Sequence, residues 1–494
     1  MVRPLALAVA LAVTALGCAH LQPASETVAS APDRPWQPPP ELVAPAPTPP
    51  PATSPESAAA AAGMTLPQAL AALPAGLLSL PLAIDLALRS SPRTRETWMA
   101  ARAAAAELGV QRSEWYPDVN FTGSAQRQKG TVGGGQFTFQ QTTLTPALDL
   151  AWLLLDFGGR AADVAEARES LIAANFAHNQ ELQDVVLDVS QAFYQYVSAR
   201  ALAEAARADL EGATANLDAA NRRHDAGLAT VADVLQAKTA VSSARLTLQV
   251  AEGQMNVIRG ALATAMGLPA ELPVDAAPLA EDVPVVAASQ GVEEALAGAL
   301  GSRPELQAAR ARSRAAAERI AQERSAGLPS LQLSGNANRI YYRSVDRDPA
   351  NNYAALLQVR VPLFSGFEHH YEVERARAEA AAAGAQADTL ANVVRLQVWS
   401  SYYELQTAAQ RYATAQDLLA AADESAKVAG GRYHEGVGSI LDLLAAQSAL
   451  ANARAQKILA RADWLLSLAR LAHDTGTLAA EGPAATTPSN STGN

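Results

Sequence analysis

The chain has 494 residues, 49% of them hydrophobic, a formal net charge of −11 and a single cysteine. One cysteine excludes an internal disulfide, and the acidic balance argues against a nucleic-acid binder, whose footprint would be basic. Beyond the N-terminal segment there is no apolar run of about 18 residues, which excludes a transmembrane helix there.

Residues 1–17 read as a signal peptide: Arg3 gives a short positive region, Leu5–Leu16 an apolar one, and small residues follow. Cys18, directly after Ala15-Leu16-Gly17, stands where a bacterial lipoprotein is lipidated, although Ala15 occupies the usual leucine position. The alternative is a chance cysteine beside an ordinary cleavage site. Ala19 follows rather than aspartate, which in such lipoproteins favours the outer membrane. Residues 18–64 then form a lipid-anchored tether, because 22–63 is rich in Pro, Ala, Ser and Thr, a composition that buries no core and favours extended chain. At the other end, 479–494 is expected to be a disordered tail.

Between these ends the pattern alternates between strand and helix. Val119, Phe121, Gly123 and Ala125 alternate with polar residues, as do Leu144, Leu148, Leu150, Trp152 and Leu154, with Pro146 an irregularity. Leu331, Leu333, Gly335 and Ala337, then Leu357, Val359, Val361 and Leu363, repeat the pattern. One apolar and one polar face predicts strands, and here it is also the pattern of a membrane β-barrel, apolar toward lipid and polar toward the lumen. Arg127–Gln136 and Ser344–Asn352, polar and Gly-rich or charged, are the expected hairpin ends.

Arg160 to Ala226 and Phe367 to Glu435 contain no proline and are rich in good helix formers. At 1.5 Å per residue each helix would extend about 100 Å. The helices that follow carry heptads: Val234, Val241, Leu248, Met255 and Leu262, with an alanine-rich seam from Ala237 to Ala265, and Leu443, Leu450, Lys457, Trp464 and Leu471 in the second half. Such spacing predicts coiled-coil packing. Gly227 and Gly436 break the helices at matching places, and glycine just past a helix end takes the left-handed cap conformation without steric cost. Each half therefore reads as a long helical hairpin.

The two turns are copies. Residues 223–240 and 432–449 match at Arg223/Arg432, Gly227/Gly436, Asp233/Asp442, Leu235/Leu444, Ala237/Ala446 and Ala240/Ala449, an offset of 209 (432 − 223). Upstream, Ser91-Pro92 pairs with Arg303-Pro304 at an offset of 212 (303 − 91), so the second half has lost three residues in between. The expected fold class is mainly α with a small membrane β part: a first repeat over 65–268, an inter-repeat segment over 269–291 and a second repeat over 292–478. Four strands cannot close a barrel, and an open edge in a bilayer leaves backbone groups unsatisfied. Small closed barrels need about eight strands, so several chains must contribute; three would give twelve.

In the two halves, the Pro–strand–strand–Gly–long-helix order, Trp152-Leu-Leu-Leu-Asp-Phe-Gly-Gly-Arg160, Val361-Pro-Leu-Phe-Ser-Gly366 and the doubled Arg-x-x-x-Gly…Asp-x-Leu turns, the chain resembles the outer-membrane efflux protein family of TolC type over roughly 66–478. The resemblance implies a homotrimer, with a 12-stranded β-barrel in outer membrane lipid continued by a coiled-coil helical barrel into the periplasm. It also implies passive conduction, with a periplasmic adaptor (membrane fusion) protein and an inner-membrane pump docking at the helix turns, where the pore is gated. Asp442 then corresponds to a ring aspartate of the pore gate, and Tyr433 and Asp233 to hydrogen-bonding gate positions. Ala445 and Gly438 depart from the pattern, standing where other members carry a second ring aspartate and a gating arginine. The two aspartates also have a simpler reading, as caps of the return helices. Gly227, Leu228, Gly436 and Val437 are the expected adaptor contacts, and they make the turn in either case.

No catalytic set stands out. The seven histidines are scattered, and the adjacent pair His369-His370 does not share a helix face. There is no Gly-rich phosphate loop and no HExxH. The expectation is a non-enzyme without cofactor, metal or nucleic-acid partner: the outer-membrane channel of a tripartite efflux or type I secretion system. The alternative is a lipid-anchored periplasmic coiled-coil adaptor or structural protein that does not span the outer membrane, and the doubled strand pairs discriminate against it.

Overall fold

A computed structural model describes residues 28–38, 77–132, 134, 136–278, 291–344 and 347–478. The signal segment, Cys18, most of the tether, residues 279–290 and the tail lie outside the described residues. The chain runs β1 (Leu77–Leu78), α1 (Leu80–Ser90), α2 (Pro92–Ser113), β2 (Asp118–Val132), β3 (Phe137–Leu155), α3 (Gly159–Asp225) and α4 (Val231–Ala265). After β4 (Asp275–Ala276) the order recurs as α5 (Val292–Ser302), α6 (Pro304–Ala326), β5 (Ser330–Tyr342), β6 (Ala350–Arg360), α7 (Glu368–His434) and α8 (Ile440–Asp474).

The longest helices of the two copies agree in length. α3 and α7 each have 67 residues, and α4 and α8 each have 35. Their starts are 209 apart (368 − 159 and 440 − 231), whereas α1/α5 and α2/α6 start 212 apart (292 − 80 and 304 − 92). The three missing residues therefore fall in the second hairpin: Asp118 to Gly159 is 41 steps, Ser330 to Glu368 only 38. α1 and α5 stop for the same reason, since Ser91 and Arg303 precede prolines and are held extended, at ψ 126° and 120°.

The chain divides into two compact units. One comprises Met99–Phe176 and Leu306–Leu390 with the segment ending at Val28; the other comprises Ala29–Trp98, Ala177–Glu305 and Ala391–Asn494. In the first unit, Arg314 and Arg319 of α6 pair with Glu169 and Glu166 of α3 at 2.8 Å and 2.7 Å. In the second, Leu78, Ile84, Val185, Val186, Val189, Phe193, Leu262 and Met266 form one core, roofed by the parallel pair β1–β4. A second cluster there centres on Trp464, stacked on Tyr412 at 5.7 Å between ring centroids. The heptad residues of α4 form its covered stripe, while Leu246, Val250 and Val257 form a second apolar stripe that is exposed.

The first unit carries an antiparallel four-stranded sheet in the order β2-β3-β5-β6. Its register puts Phe121, Leu148, Ala337 and Tyr353 in one cross-strand row and Val119, Leu150, Gly335 and Ala355 in the next. One face is thus apolar across all four strands. The opposite face carries a polar ladder: Asp149 accepts from Thr122 (3.0 Å) and Asn336 (2.5 Å), Asn338 donates to Asn336 (2.7 Å), and Asn352 donates to Asn338 (3.1 Å). The backbone pairing of β3 with β5 skips Thr145 and Pro146, the latter having no N–H to donate. At the strand-to-helix corner, the Asp156 carboxylate caps the Arg160 amide at 2.7 Å, and the buried Arg160 guanidinium donates to the Leu153 and Glu114 carbonyls. That is the structural content of the Asp-Phe-Gly-Gly-Arg motif.

Two expectations need correction. The hairpin ends are shorter than Arg127–Gln136 and Ser344–Asn352, because β2 runs on to Val132, β3 starts at Phe137 and β6 starts at Ala350. Backbone pairing continues beyond the point where the side chains cease to alternate in polarity. The tether is likewise not extended throughout, since residues 28–38 are docked. In the second unit Trp36 is buried, donates its amide to the Asn179 side chain at 2.6 Å and accepts from it at 2.7 Å. Trp98 donates its indole N–H to the Ala29 carbonyl, and the fully buried His178 bridges Thr97 and the Arg34 carbonyl. In the first unit Val28 packs on Ala101, Leu108 and Leu171. A Pro-rich average conceals one tryptophan able to anchor the segment.

Candidate functional site

All seven helix-turn residues singled out in the sequence lie in the second unit, at the junctions of α3 with α4 and α7 with α8. Both turns are Schellman closures. Leu228 N–H reaches back to the Arg223 carbonyl at 2.7 Å and Gly227 N–H to His224 at 2.8 Å; Val437 and Gly436 do the same to Arg432 (3.0 Å) and Tyr433 (3.2 Å). This geometry demands positive φ at Gly227 (70°) and Gly436 (78°), conformations that cost glycine nothing. Leu228 and Val437 follow directly and are about 70% exposed (70% and 68%), so each turn presents an uncovered aliphatic side chain.

Asp233 and Asp442 occupy N3 of the return helices, and both complete a capping box. Asp233 accepts from the Thr230 amide at 2.7 Å and Asp442 from the Ser439 amide at 3.4 Å. The capping reading is therefore present in the structure for both. Within the chain neither carboxylate meets Tyr433: that ring is buried with Ala220, Ala237, Ile440 and Leu443, and its hydroxyl is without a hydrogen bond.

The two turns are joined by that apolar cluster and by Arg223, which in the sequence stands only as a marker of the repeat. Its guanidinium lies 4.9 Å from the centre of the Tyr433 ring and donates to the Tyr433 carbonyl at 2.8 Å. A cation over an aromatic face, partly removed from water, is worth about 0.5–2 kcal/mol. The absence of a side chain at Gly438 also has a cause: a Cβ there would stand 3.0–3.1 Å from Arg432 and the Tyr433 amide. A larger residue at this position would require the second turn to give by a few tenths of an ångström.

A second polar cluster escaped the sequence pattern because its members are far apart in the chain. His473, near the end of α8, bonds Asp184 of α3 at 2.8 Å and Asp474 at 3.0 Å, and the buried Arg303 pairs with Glu305 at 2.9 Å and approaches Asp474 at 3.8 Å. Burial by itself would lower the His473 pKa, but the two carboxylates outweigh it and hold it up at about 9. A histidine raised above its unfolded value lends its full stability below about pH 6.5 and loses it as pH rises through about 9. We expect the unfolding midpoint to fall between pH 6.5 and 9, by on the order of 3 kcal/mol in free energy. His473→Gln should flatten that slope, as read by denaturant unfolding at a series of pH values. His178 has the opposite sign, since burial depresses its pKa, and its contribution is lost on acidification.

No group of His, Cys, Asp and Glu suited to a metal occurs among the described residues.

Comparison with known proteins places this architecture. The family model described as outer membrane efflux protein matches residues 83–268 and 295–477. Protein CyaE of Bordetella pertussis is 30% identical over 388 residues, covering 77% of this chain and 80% of its own. The toluene efflux pump outer membrane protein TtgC of Pseudomonas putida is 26% identical over 370 residues, covering 71% of this chain and 72% of its own. Among solved structures, the outer-membrane channel OprN superposes with a TM-score of 0.73 at 21% identity, over 81% of this chain and 90% of that one. The outer membrane protein VceC of Vibrio cholerae superposes at 0.70 and 21% identity, over 80% and 96%.

Proposed function

Since this chain belongs to the outer membrane efflux protein family, and so resides in the outer membrane, we propose that it is the exit duct of a tripartite efflux or type I secretion system. The observation that carries this reading is the sheet of the first unit. β2 and β6 are its two edges, and each leaves one row of backbone groups unpaired within the chain. An open edge is untenable in lipid. Closing β6 of one subunit on β2 of the next consumes every edge, and three copies yield a 12-stranded barrel with the polar ladder inward. The exposed stripe Leu246, Val250 and Val257 supplies the helices with an apolar face for a neighbouring subunit. Family membership in a channel rather than an adaptor sets the adaptor alternative aside.

The helix turns are the proposed docking and gating end. Leu228 and Val437, seated by Gly227 and Gly436, offer aliphatic contacts to a periplasmic adaptor, which in turn recruits an inner-membrane pump. Asp442 with its two symmetry mates forms the proposed cation-attracting ring, with Asp233 and Tyr433 at its margin. The Arg223–Tyr433 contact supports this assignment by making the two turns of one chain a single element. Cys18 is the proposed lipid attachment.

Planar-bilayer conductance of the purified protein tests the whole reading; a protein that never conducts is not a duct. The ring is tested by Asp442→Asn, which keeps an acceptor for the Ser439 amide and removes the charge. We expect block by multivalent cations to weaken by about tenfold, the equivalent of 1.4 kcal/mol. Unchanged block would leave Asp442 as a cap alone.

A further inference from the structure

The apolar face of the sheet ends in a set of cations. On that face β2 continues past Ala125 to Arg127 and Lys129, and β5 continues past Ala337 to Arg339 and Tyr341, with Arg343 directly after the end of the strand. The register is the same on both sides of the gap at Pro146: Arg127 lies opposite Thr142, whose carbonyl accepts from the Arg343 amide at 2.9 Å on the other side. Arg127 and Arg343 therefore flank one residue of β3 and stand about 10 Å apart. All four cations are exposed, and among the described residues none forms an ion pair. The apolar face carries no Asp or Glu on any of the four strands.

Their height on the strands says what they meet. Leu331 to Tyr341 on β5 spans about 34 Å at ~3.4 Å per residue, or about 24 Å along the membrane normal for a strand tilted by ~45°. That equals the apolar band of about 25 Å expected of an outer-membrane barrel. Arg343, Arg127 and Lys129 come in the next rows, at head-group level. Arg339 sits one row inside, and its guanidinium lies over the Tyr341 ring at 5.2 Å, a long cation laid along an aromatic toward the interface. This end is the hairpin end, away from the strand ends that join α3 and α7, so on the reading above it faces outward.

We propose that Arg127, Lys129 and Arg343, with Arg339 beneath them, form a binding site for the phosphates of a phosphorylated glycolipid of the outer leaflet, of the lipid A class. The planar guanidinium fork matches phosphate oxygens. Two arginines separated by one strand can grip a head group phosphorylated at both ends, whereas a singly charged phospholipid engages only one. The site rests on the outer-membrane barrel reading, and its test separates the two.

The experiment is native mass spectrometry of the full-length trimer titrated with lipid A, with phosphatidylglycerol, and with lipid A in the presence of millimolar inorganic phosphate. The wild type should bind lipid A about tenfold more tightly than it binds phosphatidylglycerol, and inorganic phosphate should not displace it. The triple variant Arg127→Gln, Lys129→Gln, Arg343→Gln should lose that preference, and the single variants Arg127→Gln and Arg343→Gln should each show a partial loss. Equal lipid A binding by wild type and variants overturns the site. Equal affinity for phosphatidylglycerol, or displacement by inorganic phosphate, overturns the glycolipid assignment. A wild type that conducts in a planar bilayer yet shows no lipid A preference sinks this inference alone, while one that does not conduct sinks the channel reading instead.

Discussion

Leu148→Arg should abolish insertion into the outer membrane, while Ala147→Arg, one residue away, should leave it largely intact. Leu148 lies in the middle of the apolar band, beside Phe121 on β2 and Ala337 on β5. A cationic side chain at the bilayer midplane of a barrel costs about 2–4 kcal/mol. A trimer would bear it three times, roughly 6–12 kcal/mol, which is the whole stability of an ordinary domain. Ala147 is flanked by Thr122 and Asn338 on the polar face, where an arginine meets water instead of lipid. Recovery of each variant in urea-washed outer membranes measures the difference. Equal recoveries would mean that the faces are assigned the wrong way round.

Trp464→Ala should be the most damaging single truncation in the second unit, at about 3–5 kcal/mol. The ring has no exposed surface and stacks on Tyr412 with the planes 11° apart, among Leu405, Ala408 and Ala460. Its indole nitrogen has no hydrogen-bond partner, so the loss is one of packing rather than of polar contacts. Trp464→Phe, which preserves an aromatic face, should therefore cost clearly less. Guanidinium unfolding of the detergent-solubilised protein, followed by circular dichroism, reads both. A Trp464→Ala midpoint equal to that of Trp464→Phe would show that the cluster refills the space.

The repeat, the long helices and the strand faces were legible because each is periodic or local. A heptad, an alternation and a glycine cap are written within a few residues of where they act. The contacts that escaped are set by distance in the chain. Arg223 meets Tyr433 and His473 meets Asp184 only because two separate helical hairpins pack in one unit. No spacing rule anticipates such a pair. Trp36 escaped for a different reason: its partner Asn179 lies 143 residues on, and its neighbours are prolines whose composition outweighs one aromatic in any average. At the candidate gate the sequence named both aspartates and both readings of them. The structure displays the cap in each, while ring formation is a property of three chains together.

The offset between the copies also says where this protein tolerates added sequence. Every long helix is matched in length to its twin, and the entire difference of three residues (212 − 209) falls between the start of the strands and the start of the next helix. One residue inserted into a helix turns everything beyond it by about 100° and carries a packed stripe away from its partner. A residue added at a hairpin end only lengthens a loop, at a few tenths of a kcal/mol. The connection over 345–349 is therefore the place to graft an epitope or a fluorophore-accepting tag, and α3, α4, α7 and α8 are the places to leave untouched.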